Sequence, residues 1–214
     1  MAEETVVGNT ILKLGDHRIT KADINHKVVL NSFKAAAPIN VFYSDPPWGD
    51  GNLKYWVTMN KKMNPDLDID YEPLVYADLL NRIRVLIEAS VDGLVFLESG
   101  LQWKEMVGDM LSQYLQNIVC FDRTYASGSK QSPNICFVAG TSKKHKFNPS
   151  VLTTTHDFPI VNEIIKVTTK PGQVVADPCC GMGWTAQAAI NHGCNFIGNE
   201  FNEKRLLKTL KRFK

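Results

Sequence analysis

The sequence predicts an α/β protein built around a mostly parallel sheet. Short apolar segments with strand character alternate with amphipathic segments of helical period. Acidic or glycine-containing turns follow several of the predicted strands, as is usual where a parallel sheet carries a ligand site. With 214 residues, 44% hydrophobic and 21% charged, the composition suits one core. We therefore expect a single domain over residues 1–214, with seven strands of which one is antiparallel.

The strands are predicted from apolar or alternating segments bounded by turn residues. Only residues 125–133 separate the fourth strand from the fifth, which leaves no room for a crossover helix. That pair should be antiparallel, whereas the other strands should be parallel and covered by helices on both faces. The seven predicted strands are residues 10–14, 39–44, 93–98, 118–124, 134–139, 173–177 and 195–199.

Helical periodicity accounts for most of the intervening chain. Apolar side chains recur at helical spacing in residues 74–89 and 102–116. Further helices are predicted to open at Pro159, with Asp157 as a candidate cap, over residues 185–192, and after the candidate cap Asn202. Residues 49–72 are instead rich in Gly, Asn, Asp, Lys and Pro, and they predict a long functional or mobile loop.

Composition and termini narrow the function classes. The first residues lack a basic and apolar leader, and no apolar segment is long enough for a membrane span, so we expect a cytoplasmic protein without a membrane partner. Five cysteines without a Cys-x-x-Cys pair predict reduced thiols and no structural metal. A formal charge of +2 does not by itself indicate nucleic-acid binding.

Residues 172–200 carry a candidate cofactor site. A predicted strand ends at Asp177, Gly181 and Gly183 form the turn into a helix, and Glu200 ends the next strand. The glycines allow a ligand to approach the backbone, and the Glu200 carboxylate can accept hydrogen bonds from both hydroxyls of a ribose. Neither the phosphate-binding loop pattern nor the third glycine of the dinucleotide fingerprint is present. The pattern favours a nucleoside cofactor without a pyrophosphate, namely S-adenosylmethionine.

A second motif, Asp45-Pro46-Pro47-Trp48, directly follows an apolar strand. An aromatic exocyclic amine is a poor nucleophile because its lone pair is delocalised into the ring. The Asp45 carboxylate and the Pro46 carbonyl can accept its two hydrogens, and the two prolines hold these acceptors rigidly. The Trp48 ring can stack on a planar base. The motif can therefore hold and orient an amino group on a planar ring.

Together the two motifs resemble the β-class DNA amino-methyltransferases and their DPPW-bearing adenine-N6 relatives. In those families a D-P-F-x-G-S-G-T-T block, a preceding proline-led helix and a following G-x-E bind the cofactor, and D-P-P-[YW] catalyses. The resemblance implies a circularly permuted, Rossmann-like methyltransferase fold, with the catalytic motif at 39–48 and the cofactor block at 156–205. The cofactor-binding residues that it implies are Asp16, Phe158, Pro159, Asp177, Pro178, Cys179, Gly181, Gly183, Glu200 and Asn202.

The permutation gives a specific expectation for Asp16. The strand at residues 10–14 should lie beside the strand that ends at Glu200, so that Asp16 follows its carboxyl end. The resemblance then implies a contact between Asp16 and the adenine amino group of the cofactor. Alternatively, Asp16 belongs to a simple Gly-Asp turn.

The predicted activity is methylation of N6 of adenine in DNA, with S-adenosylmethionine as donor. Cytosine-N4 and adenine-N6 of RNA are alternatives, because the catalytic motif recognises an amino group and not a particular base or sugar. A noncatalytic partner subunit of a methyltransferase pair is a further alternative. Because little sequence is left between the two motifs for a recognition domain, we expect a short target site, or recognition supplied by a homodimer or a partner protein.

Overall fold

The computed structural model describes residues 9–63, 75–127 and 130–213 of the chain. These residues contain one mixed sheet of eight strands, in the order β1-β2-β8-β7-β3-β4-β6-β5. The strands are β1 (Thr10–Leu14), β2 (His17–Lys21), β3 (Ile39–Ser44), β4 (Val91–Ser99), β5 (Gln116–Ser127), β6 (Lys130–Gly140), β7 (Val174–Asp177) and β8 (Asn195–Asn199).

Seven α-helices within the described residues cover the two faces of the sheet. One core lies under α1, α3 and α4 and the other under α5, α6 and α7. Side chains along β3 point alternately to the two faces of the sheet, so Phe42 packs into the first core while Val41 and Tyr43 pack into the second. The helices are α1 (Lys27–Lys34), α2 (Asp50–Met63), α3 (Tyr76–Ser90), α4 (Lys104–Ser112), α5 (Asp157–Thr168), α6 (Trp184–Asn191) and α7 (Glu203–Leu210).

The α/β class and the parallel centre of the sheet are confirmed. Strands β2, β8, β7, β3 and β4 pair in parallel, and β6 pairs antiparallel with both β4 and β5. The predicted count of seven strands is wrong because β2 was missed. Its sequence, HRITK, is mostly polar, and it forms because a tight turn at Gly15, with φ +62°, pairs it antiparallel with β1. Two strands, β1 and β6, therefore run against the others.

The N-terminal segment flanks the last strand, as a permuted order requires, but through a different strand than expected. It is β2 that pairs with β8, with Ile19 opposite Gly198. Asp16 lies in the turn before β2, at the amino end of that strand, whereas Glu200 follows the carboxyl end of β8. The expected placement of Asp16 beside the carboxyl end of β8 is thus wrong, since the length of a five-residue strand, about 16 Å, separates the two ends of β2.

The segment predicted as a loop at residues 49–72 begins with a helix instead. Helix α2 covers Asp50–Met63, and residues 64–74 lie outside the described residues. Its composition resembles a loop, but Leu53, Trp56 and Val57 recur at helical spacing, and Leu53 is buried against the first core. Packing of this short apolar stripe therefore outweighs the weak helical propensity of its Gly and Asn residues.

The other helix predictions need smaller corrections. Helix α5 begins at Asp157, with His156 in the capping position, so that Asp157 is not the cap and Pro159 lies inside the first turn. Asn202 caps α7 as predicted, because its side chain accepts a hydrogen bond from the Arg205 backbone N–H at 3.1 Å. None of the helices in the described residues combines the length and apolarity of a membrane span.

Candidate active site and cofactor pocket

The two sequence motifs lie on one cavity at the carboxyl edge of the sheet. The cavity encloses about 240 Å³ and is formed where β2, β3, β7 and β8 end and where α2 covers them. A smaller adjoining cavity of about 80 Å³ shares Asp45, Tyr125, Cys179 and Arg205 with it. Eight of the predicted site residues line the larger cavity, namely Asp45, Pro46, Pro47, Trp48, Pro178, Cys179, Glu200 and Asn202.

Asp45 immediately follows β3 and lines both cavities. The Trp48 indole N–H donates a hydrogen bond to Asp45 Oδ1 at 2.7 Å, so this edge of the ring is occupied by a contact within the protein. Burial and the neighbouring Glu98 carboxylate raise the pKa of Asp45 well above its usual range, although the Arg123 guanidinium and the Trp48 hydrogen bond oppose that rise. A carboxyl group with a raised pKa in a cavity suits proton acceptance.

A buried ionic network lies behind Asp45 and was not predicted. Glu98 is fully buried at the end of β4, and it accepts hydrogen bonds from Arg123 Nη2 at 2.6 Å and from Asn134 Nδ2 at 2.8 Å. The Tyr43 hydroxyl also donates to Glu98. Glu98 and Tyr43 line the smaller cavity. The available sequence signal was a pair of charged residues inside otherwise apolar strands, a placement that requires a buried partner.

Glu200 follows β8 and lines the larger cavity while its exposed fraction is only 8%. Its carboxylate accepts hydrogen bonds from the backbone N–H groups of Gly181, at 2.8 Å, and Asn202, at 2.7 Å. Burial raises the pKa of Glu200 to about 7, against the lowering effect of these hydrogen bonds and of Arg205. The carboxylate therefore ties the glycine turn to the start of α7 and faces the cavity.

Asp177 shapes the turn between β7 and α6 rather than lining the larger cavity. It accepts hydrogen bonds from the Cys179 backbone N–H at 3.0 Å and the Thr185 hydroxyl at 2.6 Å. Its side chain lines the smaller cavity, and burial raises its pKa to about 7. Gly181 lines the same cavity and adopts φ +54°, a conformation that glycine tolerates best.

Three further predicted residues lie away from both cavities in the described part of the chain. Gly183 adopts φ +81°, and a Cβ placed on it would come within 3.0 Å of Thr209, so this glycine permits close packing of the turn against α7. Phe158 packs against the second core, and Pro159 is exposed on α5. Gly183 and Phe158 therefore have packing contacts, Pro159 is on the surface, and Asp16 lies at the opposite edge of the sheet.

Several cavity residues had not been predicted. Asp23 follows β2 and occupies the position expected of Asp16, so that recognising β2 would have identified it. Tyr125 of β5 places its ring 5.4 Å from that of Trp48 at 87°. The Arg205 guanidinium lies 3.7 Å from the centre of the Trp56 ring, which joins α7 to α2 across the cavity. These contacts join residues that are far apart in the sequence, so no local pattern predicts them.

Comparisons with known proteins agree with this arrangement. A sequence model of a DNA methylase family, the N6/N4 methylases, matches residues 122–211. The solved M1.HpyAVI-SAM complex shares 17% identity and a TM-score of 0.61, covering 91% of this chain and 97% of that one. This chain therefore shares the fold of that protein. PvuII DNA methyltransferase, described as cytosine-N4-specific, shares 12% identity and a TM-score of 0.60, with 85% and 82% covered. A search of curated protein sequences gave no match.

Proposed function

We propose that this chain is an S-adenosylmethionine-dependent DNA methyltransferase that methylates the exocyclic N6 amino group of adenine. The observation that carries the proposal is that Asp45 and Glu200, which are far apart in sequence, line one cavity at the carboxyl edge of the sheet. The DNA methylase family match over residues 122–211 supports the class of reaction. The similar fold of M1.HpyAVI, solved with SAM, supports the cofactor.

The cavity residues fit a nucleoside cofactor. Glu200 offers a buried acceptor at the cavity wall, and Ile24, Pro178 and Phe201 supply apolar surface around it. Glu200 would hold the ribose hydroxyls, and Gly181 and Cys179, which line the adjoining cavity, would hold the remainder. When bound, S-adenosylmethionine supplies an electrophilic methyl group on a sulfonium sulfur. Asp177, Pro178 and Asn202 would support this site by fixing the turn and the start of α7.

The residues of the catalytic motif would prepare the amine. Asp45 and the Pro46 carbonyl accept its two hydrogens, which directs the nitrogen lone pair away from the ring, and Pro47 keeps the segment rigid. The Asp45 carboxylate stabilises the positive charge that develops on nitrogen and can accept its proton. The Trp48 and Tyr125 rings line the cavity beside Asp45 and offer aromatic surface for an extruded base.

Cytosine-N4 is the second candidate target. It is favoured by the similarity to PvuII DNA methyltransferase, whose TM-score of 0.60 nearly equals the 0.61 of the M1.HpyAVI-SAM complex. The chain between the motifs is largely occupied by α2, α3, β4, α4, β5 and β6 in the described residues. We therefore propose that target recognition uses a short site, or that a second copy or a partner protein supplies it.

The decisive experiment is incubation with S-adenosylmethionine and with DNA or RNA, followed by mass spectrometry of the digested nucleosides. We expect N6-methyladenine from DNA, and sequencing of the modified positions reports the length of the site. N4-methylcytosine would favour cytosine-N4 as the target, and product from RNA alone would indicate that RNA is the substrate. A wild-type protein that neither binds cofactor nor forms product would instead indicate a noncatalytic subunit.

Two variants test the assigned roles in the same assay. Asp45→Ala should abolish product while it retains cofactor affinity, because the carboxylate faces the amine. Glu200→Ala should weaken cofactor binding by about tenfold or more, since a hydrogen bond to a charged group contributes about 1.5–3 kcal/mol. Calorimetric titration measures the affinity. Unchanged product formation by Asp45→Ala, or unchanged affinity in Glu200→Ala, would contradict the proposal.

A further inference from the structure

The indole of Trp48 makes a contact that stacking on a base does not require. Its Nε1–H donates to Asp45 Oδ1 at 2.7 Å, within the short range of hydrogen bonds to ionised acceptors. Trp48 is also held by its backbone and by a neighbouring ring. The Trp48 backbone N–H donates to Asn52 Oδ1 at 3.3 Å, and the Tyr125 ring packs edge-on against the indole at 5.4 Å. The donor is therefore fixed relative to Asp45.

This contact divides the two oxygens of the Asp45 carboxylate between two partners. Oδ1 is occupied by the indole, and Oδ2 has no hydrogen bond to a described residue. A carboxylate held by one oxygen cannot rotate freely, so the direction of its second oxygen is set by the indole. Because Asp45 lines both cavities, that oxygen is the acceptor available to a bound amine.

We propose that Trp48 is a positioning residue for Asp45, whose indole N–H occupies one carboxylate oxygen and presents the other to the target amine. The inference rests on the proposed function, and it assigns the indole N–H a role separate from that of the ring face. A phenylalanine at this position would retain an aromatic face but could not make the bond. Rate, rather than binding of the base, is then the quantity that the N–H controls.

The pH dependence provides a readout that a stacking role would not change. The Trp48 hydrogen bond lowers the pKa of Asp45, so its loss should raise that pKa and move the acid limb of the rate profile to higher pH. Other groups also act on Asp45 or are acted on by it, and they stay unchanged in the comparison. These groups are Glu98, Arg123, Asp177, Tyr76, Tyr125, Cys136 and Cys179.

The first test compares Trp48→Phe with the wild type. We expect kcat at neutral pH to fall by about 10- to 100-fold, with a smaller change in KM for nucleic acid and with cofactor affinity retained. The acid limb should move to higher pH. Trp103→Phe is the matched control, because the Trp103 indole N–H has no hydrogen-bond partner among the described residues. A Trp48→Phe variant with unchanged kcat and acid limb overturns the inference.

The second test uses the geometry of an amide. In Asp45→Asn, the indole selects the amide oxygen as its acceptor, so the NH₂ group faces the target amine, where a donor meets a donor. Adding Trp48→Phe frees the amide to rotate and to present its oxygen instead. We therefore expect the double variant to be more active than Asp45→Asn alone. A double variant that is less active than the single one contradicts the positioning role.

A third measurement does not require a Trp48 variant to fold. In protein with ¹⁵N-labelled tryptophan, one indole N–H signal should shift on Asp45→Ala, whereas the Trp103 signal should stay in place. If no indole signal responds to Asp45→Ala, the inference is wrong. Because this measurement needs no turnover, it separates failure of the positioning role from failure of the proposed activity, which would appear as an inactive wild type.

Discussion

At the scale of residues, Asp45 and Glu200 have the same physical character but receive different proposed tasks. Both carboxylates line the larger cavity, both accept hydrogen bonds from the chain, and burial raises the pKa of each. Their partners differ. Asp45 is held by a side chain that leaves one oxygen for a substrate, whereas Glu200 is held by two backbone N–H groups that connect it to the glycine turn and to α7.

The pKa of Glu200 leads to a prediction for cofactor binding. Because burial raises this pKa to about 7, the group is mostly neutral at pH 6 and mostly ionised at pH 8. If the ionised form accepts the ribose hydroxyls, affinity for S-adenosylmethionine should be about tenfold higher at pH 8 than at pH 6. Calorimetric titration at both pH values measures this ratio. Glu200→Gln should remove most of the difference in affinity between the two pH values. If this variant keeps the full difference, another titratable group causes it.

The raised pKa of Glu200 also makes folding stability depend on pH, in the direction opposite to cofactor binding. A folded-state pKa of about 7, above the ordinary value of 4.5, means that the folded protein binds more protons than the unfolded chain between these values. The contribution of Glu200 to stability is therefore fully present below about pH 4.5 and is lost as the pH rises through about 7. Ionisation of this group thus favours ligand binding while it opposes folding of the free protein.

At the scale of elements, the turn between β7 and α6 has a close packing requirement at Gly183. Gly183 and Gly172 have nearly the same φ, +81° and +84°. They differ in surroundings, because a Cβ on Gly183 would lie 3.0 Å from Thr209, whereas a Cβ on Gly172 would meet nothing within 4 Å. Substitution at the two sites therefore separates backbone strain from overpacking.

We expect Gly172→Ala to lower the free energy of unfolding by about 1–2 kcal/mol, the cost of a left-handed backbone for a residue with a Cβ. Gly183→Ala should cost about 1–3 kcal/mol more, since the new methyl group must displace Thr209 on α7. Urea unfolding of both variants measures the difference. Equal losses of unfolding free energy in the two variants would show that α7 shifts without cost, and would contradict the packing role of Gly183.

Elements with a local sequence signal could be predicted, whereas elements that depend on distant parts of the chain could not. The apolar β3 and the pattern from Asp177 to Glu200 carry their own signals, so the motifs at their ends were placed correctly on one edge of the sheet. Strand β2 is polar in sequence and is held by β1 and β8, while α2 is held by burial of Leu53. Asp23, Tyr125 and Arg205 reach the site through such nonlocal packing.

At the scale of the whole molecule, a buried ionic network connects four neighbouring strands of the sheet. Tyr43 on β3, Glu98 on β4, Asn134 on β6 and Arg123 on β5 meet around one carboxylate. Glu98 is fully buried and Arg123 is only 2% exposed, so neither charge can be compensated by water. The network lies beside Asp45, and its Glu98 and Arg123 charges act on the pKa of that carboxyl group.

Removing one partner should be far more harmful than removing both. Arg123→Met leaves the Glu98 carboxylate buried without its counter-ion, and we expect a loss of about 3–5 kcal/mol in the free energy of unfolding. The double variant Glu98→Met/Arg123→Met should recover most of that loss, because no uncompensated charge remains. Arg84→Met is the control, since Arg84 pairs with the exposed Glu88 at 3.0 Å and should cost less than about 1 kcal/mol. Denaturant unfolding of the wild type and these three variants measures the losses, and a double variant no more stable than Arg123→Met would show that the strands depend on the ion pair itself rather than on charge neutrality.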